Sequence, residues 1–316
     1  MTTMTSMTTT TSPGPRVFVG PDPLSDVLEA VRSSGCEVAE SLSEADAVVW
    51  FGRDPAALAD VLPAGVRWLQ IPDAGAERWL ASGLVGGTLE VTSARGAYAP
   101  QVAEHALALI LACARRLDVY GRAVTWAPQA AAVSSLAGGE VLVVGAGGIG
   151  TALIAMLAPL GCRTVAVTRS GRDVPGASQS VAASDLDRCL PSADVVVLAA
   201  PATAETAQLV NATRIGLMKP SAILVNVARG TLVDTDALLA ALDRGHLSAV
   251  GLDVTDPEPL PAGHPLLTHP RVIVTPHVAN PPALKRAAFA RHVADNCARF
   301  KAGISLSGII EEERGY

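Results

Sequence analysis

The ten residues Val141-Leu142-Val143-Val144-Gly145-Ala146-Gly147-Gly148-Ile149-Gly150 constrain this chain more than any others. A four-residue apolar run, mostly valine, breaks into Gly-x-Gly-x-x-Gly, and the helix-prone segment Thr151 to Met156 follows. That order reads as a buried parallel strand, a tight turn and a helix N-terminus, a place where a dinucleotide pyrophosphate can sit. Gly145 permits the turn, Gly147 lets backbone approach phosphate, and Gly150 lets the helix pack closely on the strand. Gly148 and Ile149 complete the expected cofactor loop. The glycines alone match by chance too often to decide anything; their strand and helix flanks give them weight.

The second strand of such a unit reads Arg163-Thr164-Val165-Ala166-Val167. An acidic side chain about 20 residues beyond the glycines would bond the adenine ribose of NAD. This chain instead has Thr168-Arg169-Ser170-Gly171-Arg172. A carboxylate there would repel a 2′-phosphate, whereas a guanidinium and a hydroxyl can bind one. NADP(H) is therefore favoured over NAD(H). On the alternative reading, Arg169 and Arg172 decorate a solvated loop and Asp173 acts in place of the acid, three residues late.

With 316 residues, 49% of them hydrophobic, the chain can fill the cores of two domains. A formal net charge of -6 argues against nucleic acid or anionic membrane as partner, and an aromatic fraction of 3% leaves little surface for base stacking. Cys36, Cys113, Cys162, Cys189 and Cys297 are scattered and free of C-x-x-C spacing. They read as small buried hydrophobes in a reducing compartment, with neither a disulfide framework nor a metal site expected. Met1 to Ser12, mostly threonine, lack the positive start and apolar core of a signal peptide, so a disordered tail, or a start upstream of the true one, is expected. The most apolar helical stretch, Ala106 to Ala114, is about half the length that spans a bilayer, and a soluble, cytoplasmic protein is expected.

Short valine-rich runs alternate with alanine- and leucine-rich stretches, the sign of parallel sheet covered by helices. Strands are expected at Arg16 to Gly20, Cys36 to Ala39, Ala45 to Trp50 and Val66 to Ile71, with a helix over 24–34. A second series opens at Val141 and continues through Val165, Val195 to Ala199, Ile223 to Asn226, Val250 to Val254 and Val272 to Thr275. The fragment Ala45-Asp46-Ala47-Val48-Val49 recurs as Ala193-Asp194-Val195-Val196-Val197, which two sheets of related topology would explain. Between the series, one helix is expected from Tyr98 to about Tyr120, apolar nearly all round and so buried at a domain or subunit contact. Another, from Pro282 to about Lys301, could carry the chain back to the first domain.

Three further segments sit at or just after strand ends, where ligands bind in open parallel sheets. They are Asn226-Val227-Ala228-Arg229-Gly230, Gly251-Leu252-Asp253-Val254-Thr255-Asp256-Pro257-Glu258-Pro259-Leu260 and Thr275-Pro276-His277-Val278-Ala279. Taken singly, Arg229 could cap a helix or pair with Asp234 or Asp236, Glu258 could be a solvated charge, and His277 a turn residue. Together with Gly145 to Gly150, and in this order, they resemble the D-2-hydroxyacid dehydrogenase family. The resemblance spans roughly residues 66 to 300. Within the family it is closest to the glyoxylate and hydroxypyruvate reductases.

The resemblance implies that Arg229 grips the substrate carboxylate and polarises its carbonyl, a task suited to a planar guanidinium. His277 would protonate the oxygen during reduction and take the proton in reverse, because an imidazole titrates near neutrality. Glu258 would bond the other ring nitrogen, holding the imidazole in place and stabilising its charged form. Asp253, Val227, Ala228, Ala279, Ala200, Pro201 and Thr206 are carried over as cofactor contacts, alongside Thr168, Arg169, Ser170 and Arg172. The other histidines, His105 among them, are left structural; on its apolar helix, His105 is expected to be a satisfied interface residue.

Substrate contacts are expected from Trp50 at the end of the third strand and from Ala74 and Gly75 in Pro72-Asp73-Ala74-Gly75-Ala76, where the family carries a glycine-rich loop. The loop departs from the family's usual Gly-x-Asp ending, since Glu77-Arg78 follows, and Trp50 could equally be a core residue. Arg95 and Tyr98 could also face the site. The expected fold is α/β, two doubly wound parallel-sheet domains. A dinucleotide-binding domain over 99–283 is inserted in a flavodoxin-like substrate domain over 16–98 plus 284–316, after a tail over 1–15. By resemblance the chain is a homodimer joined through the helix after Tyr98, with its active site between the domains, closing on its ligands. The expected reaction is reduction of a small 2-oxo acid to the D-2-hydroxy acid. An NAD-linked oxidation of the 3-phosphoglycerate dehydrogenase kind is the alternative, although no regulatory domain is expected beyond Tyr316. A dinucleotide-sensing, corepressor-like binding protein is the alternative from another class.

Overall fold

A computed structural model of the chain describes residues 14–126 and 133–311. The threonine-rich tail expected over 1–15 lies, up to residue 13, outside the described residues. Two compact units are present, one made of the residues up to Ala97 with those from Arg286 onward, the other of Tyr98–Lys285.

In the first unit, β1 (Arg16–Gly20), β2 (Glu37–Val38), β3 (Ala47–Trp50), β4 (Trp68–Gln70) and β5 (Glu90–Thr92) form an all-parallel sheet in the order β2-β1-β3-β4-β5. That is the flavodoxin-like doubly wound order. Val48, Leu69, Ile71, Trp79 and Val91 fill its core. In the second unit, β6 (Glu140–Val144), β7 (Arg163–Thr168), β8 (Gln179–Ala182), β9 (Val195–Leu198), β10 (Ile223–Asn226), β11 (Ala249–Leu252) and β12 (Val272–Val274) run in the order β12-β11-β10-β9-β6-β7-β8. All these pairings are parallel, with Val143 opposite Ala166 on one side and Val197 on the other. Winding reverses between β6 and β9, and ligands bind open parallel sheets at such a reversal, beyond the strands' carboxyl ends. Burying each Val or Leu of β6, β9 and β10 is worth about 1.5–3 kcal/mol relative to exposure, which is why these strands read as unbroken apolar runs.

The repeated Ala-Asp fragment has one physical job in both sheets. Asp46 Oδ2 accepts from the Arg16 amide at 2.8 Å, and Asp194 Oδ2 accepts from the Glu140 amide at 2.8 Å. Each acid therefore staples the first residue of the neighbouring strand, whose amide lies before the ladder begins.

The helix expected over Tyr98 to Tyr120 is two helices, Ala99–Arg115 and Leu117–Tyr120. Arg116 between them is left-handed (φ 52°), and its guanidinium bonds Asp118 and the Pro270 carbonyl. No glycine, proline or asparagine marks that break. Nor is the longer helix buried all round: Glu104 and Ala108 are exposed, while Val102, Ala103, Ala106, Leu109, Ile110 and Cys113 form one buried face. That face serves its own unit, packing on the helix Gly148–Leu157 and on β10 and β11. Strands β5 and β8 are additional to the expected set. The expected strands at Cys36 to Ala39 and Val66 to Ile71 shorten to β2 and β4.

Candidate active site

The loop after β6 is locked on its protein side. Gly145 adopts φ 96°, and a Cβ there would collide with the backbone of Ala200, just beyond β9. The Gly145 and Ala146 amides both donate to the Val167 carbonyl of β7, at 3.0 and 3.3 Å. At Gly147, by contrast, a Cβ would meet nothing within 4 Å. The helix Gly148–Leu157 starts there, so its first amides face space that an anion can enter. A dinucleotide fits this loop. Thr168 Oγ1, buried at the end of β7, has no hydrogen-bond partner among the described residues. Arg172 donates to the Ala146 carbonyl at 2.8 Å, tying the loop after β7 to the glycines, while exposed Arg169 lies 3.7 Å from Glu205. Ser170 and Asp173 are exposed on that loop. Beyond β9, Thr206 Oγ1 donates to the Pro201 carbonyl at 2.7 Å and accepts from the Thr203 amide, closing the turn after Ala200.

The remaining chemistry comes from the ends of β10, β11 and β12, which are neighbours. Asn226 is fully buried, and its side chain spans the first turn. Its Nδ2 donates to the Arg229 carbonyl at 2.9 Å, and its Oδ1 accepts from the Ala228 amide at 3.0 Å. Val227 and Ala228 are thereby fixed in the turn that presents Arg229, whose Nη1 donates to the Ala228 carbonyl. Gly230 then lies directly against the Thr255 and Asp256 backbone, which any side chain there would overlap. Asp234, a sequence candidate for pairing with Arg229, instead caps the helix Thr235–Asp243 by accepting from the Ala237 amide.

Glu258 and His277 meet. His277 Nδ1 lies 2.7 Å from Glu258 Oε1, with the two side chains 51% and 42% exposed. An ionised carboxylate only accepts, so Nδ1 carries the proton of this bond. His277 itself is left-handed (φ 51°), its amide donating to the Asp253 carbonyl at 2.8 Å.

Asp253 holds that turn. It is 2% exposed; Oδ1 accepts from the Val278 amide at 2.9 Å and from Thr275 Oγ1 at 2.7 Å, and Oδ2 accepts from the Ala279 amide at 3.1 Å. His105 Nε2, reaching in from the helix Ala99–Arg115, is 3.0 Å from Thr275 Oγ1 and 3.3 Å from Asp253 Oδ1. Burial pushes the Asp253 carboxyl up, but the bonds from His105, Thr275 and the two amides outweigh it and hold it below the ordinary 3.8. A depressed native pKa adds stability above the unfolded value, and that stability is lost as pH falls through the folded value. Unfolding free energy should therefore drop more steeply with acidification below roughly pH 4 in the wild type than in Asp253→Asn. Urea titrations across that range would read the difference in slope; equal slopes would mean the carboxylate is not held as described.

Trp50, Ala74 and Gly75 belong to the first unit. Trp50 ends β3 with a buried Nε1 that has no hydrogen-bond partner among the described residues, and Ala74 and Gly75 lie in the loop after β4. Among the described residues, no group of three or more His, Cys, Asp or Glu could hold a metal, and no helix is long and apolar enough to cross a membrane.

Residues 107–279 match the family model of the D-isomer specific 2-hydroxyacid dehydrogenase NAD-binding domain. The chain belongs to that family. It is therefore an NAD(P)-binding oxidoreductase acting on 2-hydroxy or 2-oxo acids. Among its relatives is an uncharacterized protein encoded in the proB 3′ region of Corynebacterium melassecola, 37% identical over 90% of this chain and 95% of that one. Glyoxylate/hydroxypyruvate reductase A of Klebsiella pneumoniae is 34% identical over 68% of this chain and 69% of its own. A solved D-isomer specific 2-hydroxyacid dehydrogenase from Xanthobacter autotrophicus, in complex with NADPH and MES, is 27% identical. It covers 96% of this chain and all of its own, with a TM-score of 0.79.

Sequence reasoning about this dehydrogenase overlooked His105, Thr275, Asn226 and Gly230 as parts of the site. Asn226 carried a signal, being the one polar residue that closes an otherwise apolar strand. The helix of His105 carried none that points at β12.

Proposed function

We propose that this dehydrogenase reduces a small 2-oxo acid, glyoxylate or hydroxypyruvate first, to the D-2-hydroxy acid, with NADP(H) as preferred cofactor. The observation that carries the reading is the 2.7 Å bond between His277 and Glu258, which follow β12 and β11, the two strands beside the β10 turn that presents Arg229. Glu258 fixes Nδ1, so Nε2 gives its proton to the carbonyl oxygen during reduction and receives one in the reverse direction. The negative charge of Glu258 steadies the imidazolium. Arg229 binds the substrate carboxylate through paired, charge-assisted bonds. When bound, the dinucleotide supplies the hydride. Gly145 to Gly150 would hold its pyrophosphate, with Ala200, Pro201, Thr206, Val227, Ala228 and Ala279 around it. Trp50, Ala74 and Gly75 are proposed as substrate contacts. The relatives named as glyoxylate reductases support the substrate class.

Arg169 would take the 2′-phosphate with Thr168 and Ser170, Arg172 being engaged with Ala146. An exposed ion pair such as Arg169–Glu205 is worth about 0–1 kcal/mol, so a dianionic phosphate displaces it. One bond to a charged group contributes about 1.5–3 kcal/mol, so Arg169→Ala should raise the KM for NADPH by roughly 10- to 100-fold and leave that for NADH within about twofold. The reading as a whole is tested by following loss of reduced-nicotinamide absorbance with each cofactor against a panel of 2-oxo acids. Turnover of a short 2-oxo acid with NADPH is expected; cofactor binding with no turnover across the panel would overturn it and favour a sensor. We also read the chain as a homodimer joined near the helix Ala99–Arg115. The exposed side chains of Leu117, Val124 and Trp126, which follow that helix, support this, and sedimentation velocity would measure it.

A further inference from the structure

We infer that His105 is a positioning residue for the loop that carries His277, acting through the hydroxyl of Thr275 and the carboxylate of Asp253. The inference rests on the reading of His277 as the proton donor. Thr275 Oγ1 lies 2.7 Å from Asp253 Oδ1, and an ionised carboxylate can only accept, so the single hydroxyl proton is spent there. Toward His105, at 3.0 Å, Oγ1 can then only accept, and Nε2 must carry a hydrogen. The same nitrogen lies 3.3 Å from Asp253 Oδ1. His105 thus gives its one Nε2 hydrogen to the Thr275 hydroxyl, which gives its own to Asp253, while the Val278 and Ala279 amides donate to the same carboxylate.

That arrangement matters because of what it restrains. His277 stands in the left-handed region (φ 51°), which bulky side chains avoid unless the surroundings hold them there. Asp253 grips the two residues after it by side chain and His277 itself by its carbonyl. A carboxylate free to rotate would keep the carbonyl bond and lose the two amide bonds. His105 and Thr275 remove that freedom from the far side, Thr275 from the end of β12 and His105 from a helix packed on the neighbouring strands β10 and β11. The histidine that sequence leaves structural therefore sets the aim of the one that transfers the proton.

The test uses the full chain with His105→Leu, which keeps bulk but no donor, and His105→Gln, whose amide nitrogen reaches about as far as Nε2. Thr275→Val and the His105→Leu/Thr275→Val double variant complete the set. Hydrogen exchange of the Val278 and Ala279 amides, measured without cofactor, reads the loop directly. In His105→Leu that exchange should quicken at least about tenfold, and kcat should fall roughly 10- to 100-fold with the KM for NADPH within about twofold. His105→Gln should recover most of both. The double variant should lose clearly less than the two single losses combined, because the shorter contact passes through the Thr275 hydroxyl. Unchanged exchange in His105→Leu, a Gln variant as impaired as Leu, or additive losses would each overturn the inference. If the loop loosens in His105→Leu while His277→Ala still turns over normally, the holding role stands and the proton-donor reading of His277 fails.

Discussion

His277→Ala is expected to lower kcat by roughly 10²–10⁴-fold while leaving the dissociation constant for NADPH within about twofold. The separation follows from where the side chain lies. It is 51% exposed, so its truncation opens no cavity, and the partner carboxylate of Glu258, 42% exposed, is taken up by water. The turn survives because Asp253 holds it through the amides of His277, Val278 and Ala279, which alanine leaves in place. The melting temperature should stay within a few degrees of wild type, so lost turnover reports lost proton transfer. Glu258→Gln gives the companion result. A glutamine oxygen can still accept from Nδ1, so orientation persists while the charge that steadies the imidazolium is gone, and a smaller loss, on the order of tenfold, is expected. Single-turnover rates with saturating NADPH and a 2-oxo acid would measure both. An undiminished rate in His277→Ala removes the imidazole from the mechanism.

The parts of this molecule that could be read in advance are those whose cause lies within a few residues of their effect. Gly145 must turn at φ 96° between a strand and a helix, and the apolar run before it and the helix formers after it say so. The residues Arg229, Glu258 and His277 follow strand ends, and a parallel sheet brings successive strand ends to one edge. The Ala-Asp echo was visible as well, but not its reason, since each acid bonds an amide on another strand. What stayed hidden depends on distant neighbours. His105 meets Thr275 170 positions along the chain, and nothing in its own helix points there. Arg116 breaks a helix without glycine or proline because its guanidinium finds Asp118 and the Pro270 carbonyl. Strands β5 and β8 are short, with sequences Glu-Val-Thr and Gln-Ser-Val-Ala, too polar for a run of apolar residues to announce them.

Gly230→Ala is expected to damage the fold and the chemistry together. The glycine is not required by its dihedral angles; it is required by what it touches. An added Cβ would overlap the carbonyl of Thr255 and crowd the amide of Asp256, and backbone cannot rotate aside as a flexible side chain can. Neither wall yields easily. Gly230 and Leu232 are buried in a short turn closed by the bond from the Val233 amide to the Gly230 carbonyl. On the other wall, Thr235 Oγ1 donates to the Asp256 carbonyl at 2.7 Å and Thr255 Oγ1 to the Pro257 carbonyl at 2.9 Å. Overpacking of this kind costs about 1–3 kcal/mol or more, which lowers the melting temperature of a unit this size by roughly 2–4 °C per kcal/mol. The larger effect falls on catalysis. Arg229 precedes the glycine directly, and Glu258 lies three residues beyond Thr255, so parting the two loops moves the guanidinium away from the carboxylate–imidazole pair. A displacement of about 1 Å can cost on the order of 100-fold in rate, and kcat/KM for the 2-oxo acid should fall at least that far. Gly216→Ala is the matched control: exposed within the helix Ala212–Leu217, its Cβ would meet nothing, and it should hold or raise stability by about 0.5–1 kcal/mol. NADPH affinity in Gly230→Ala should change far less than turnover, because the glycines after β6 do not depend on this contact. Wild-type melting and turnover in that variant would mean the loops after β10 and β11 are not interlocked, and Arg229 would then need another reason to stand where it does.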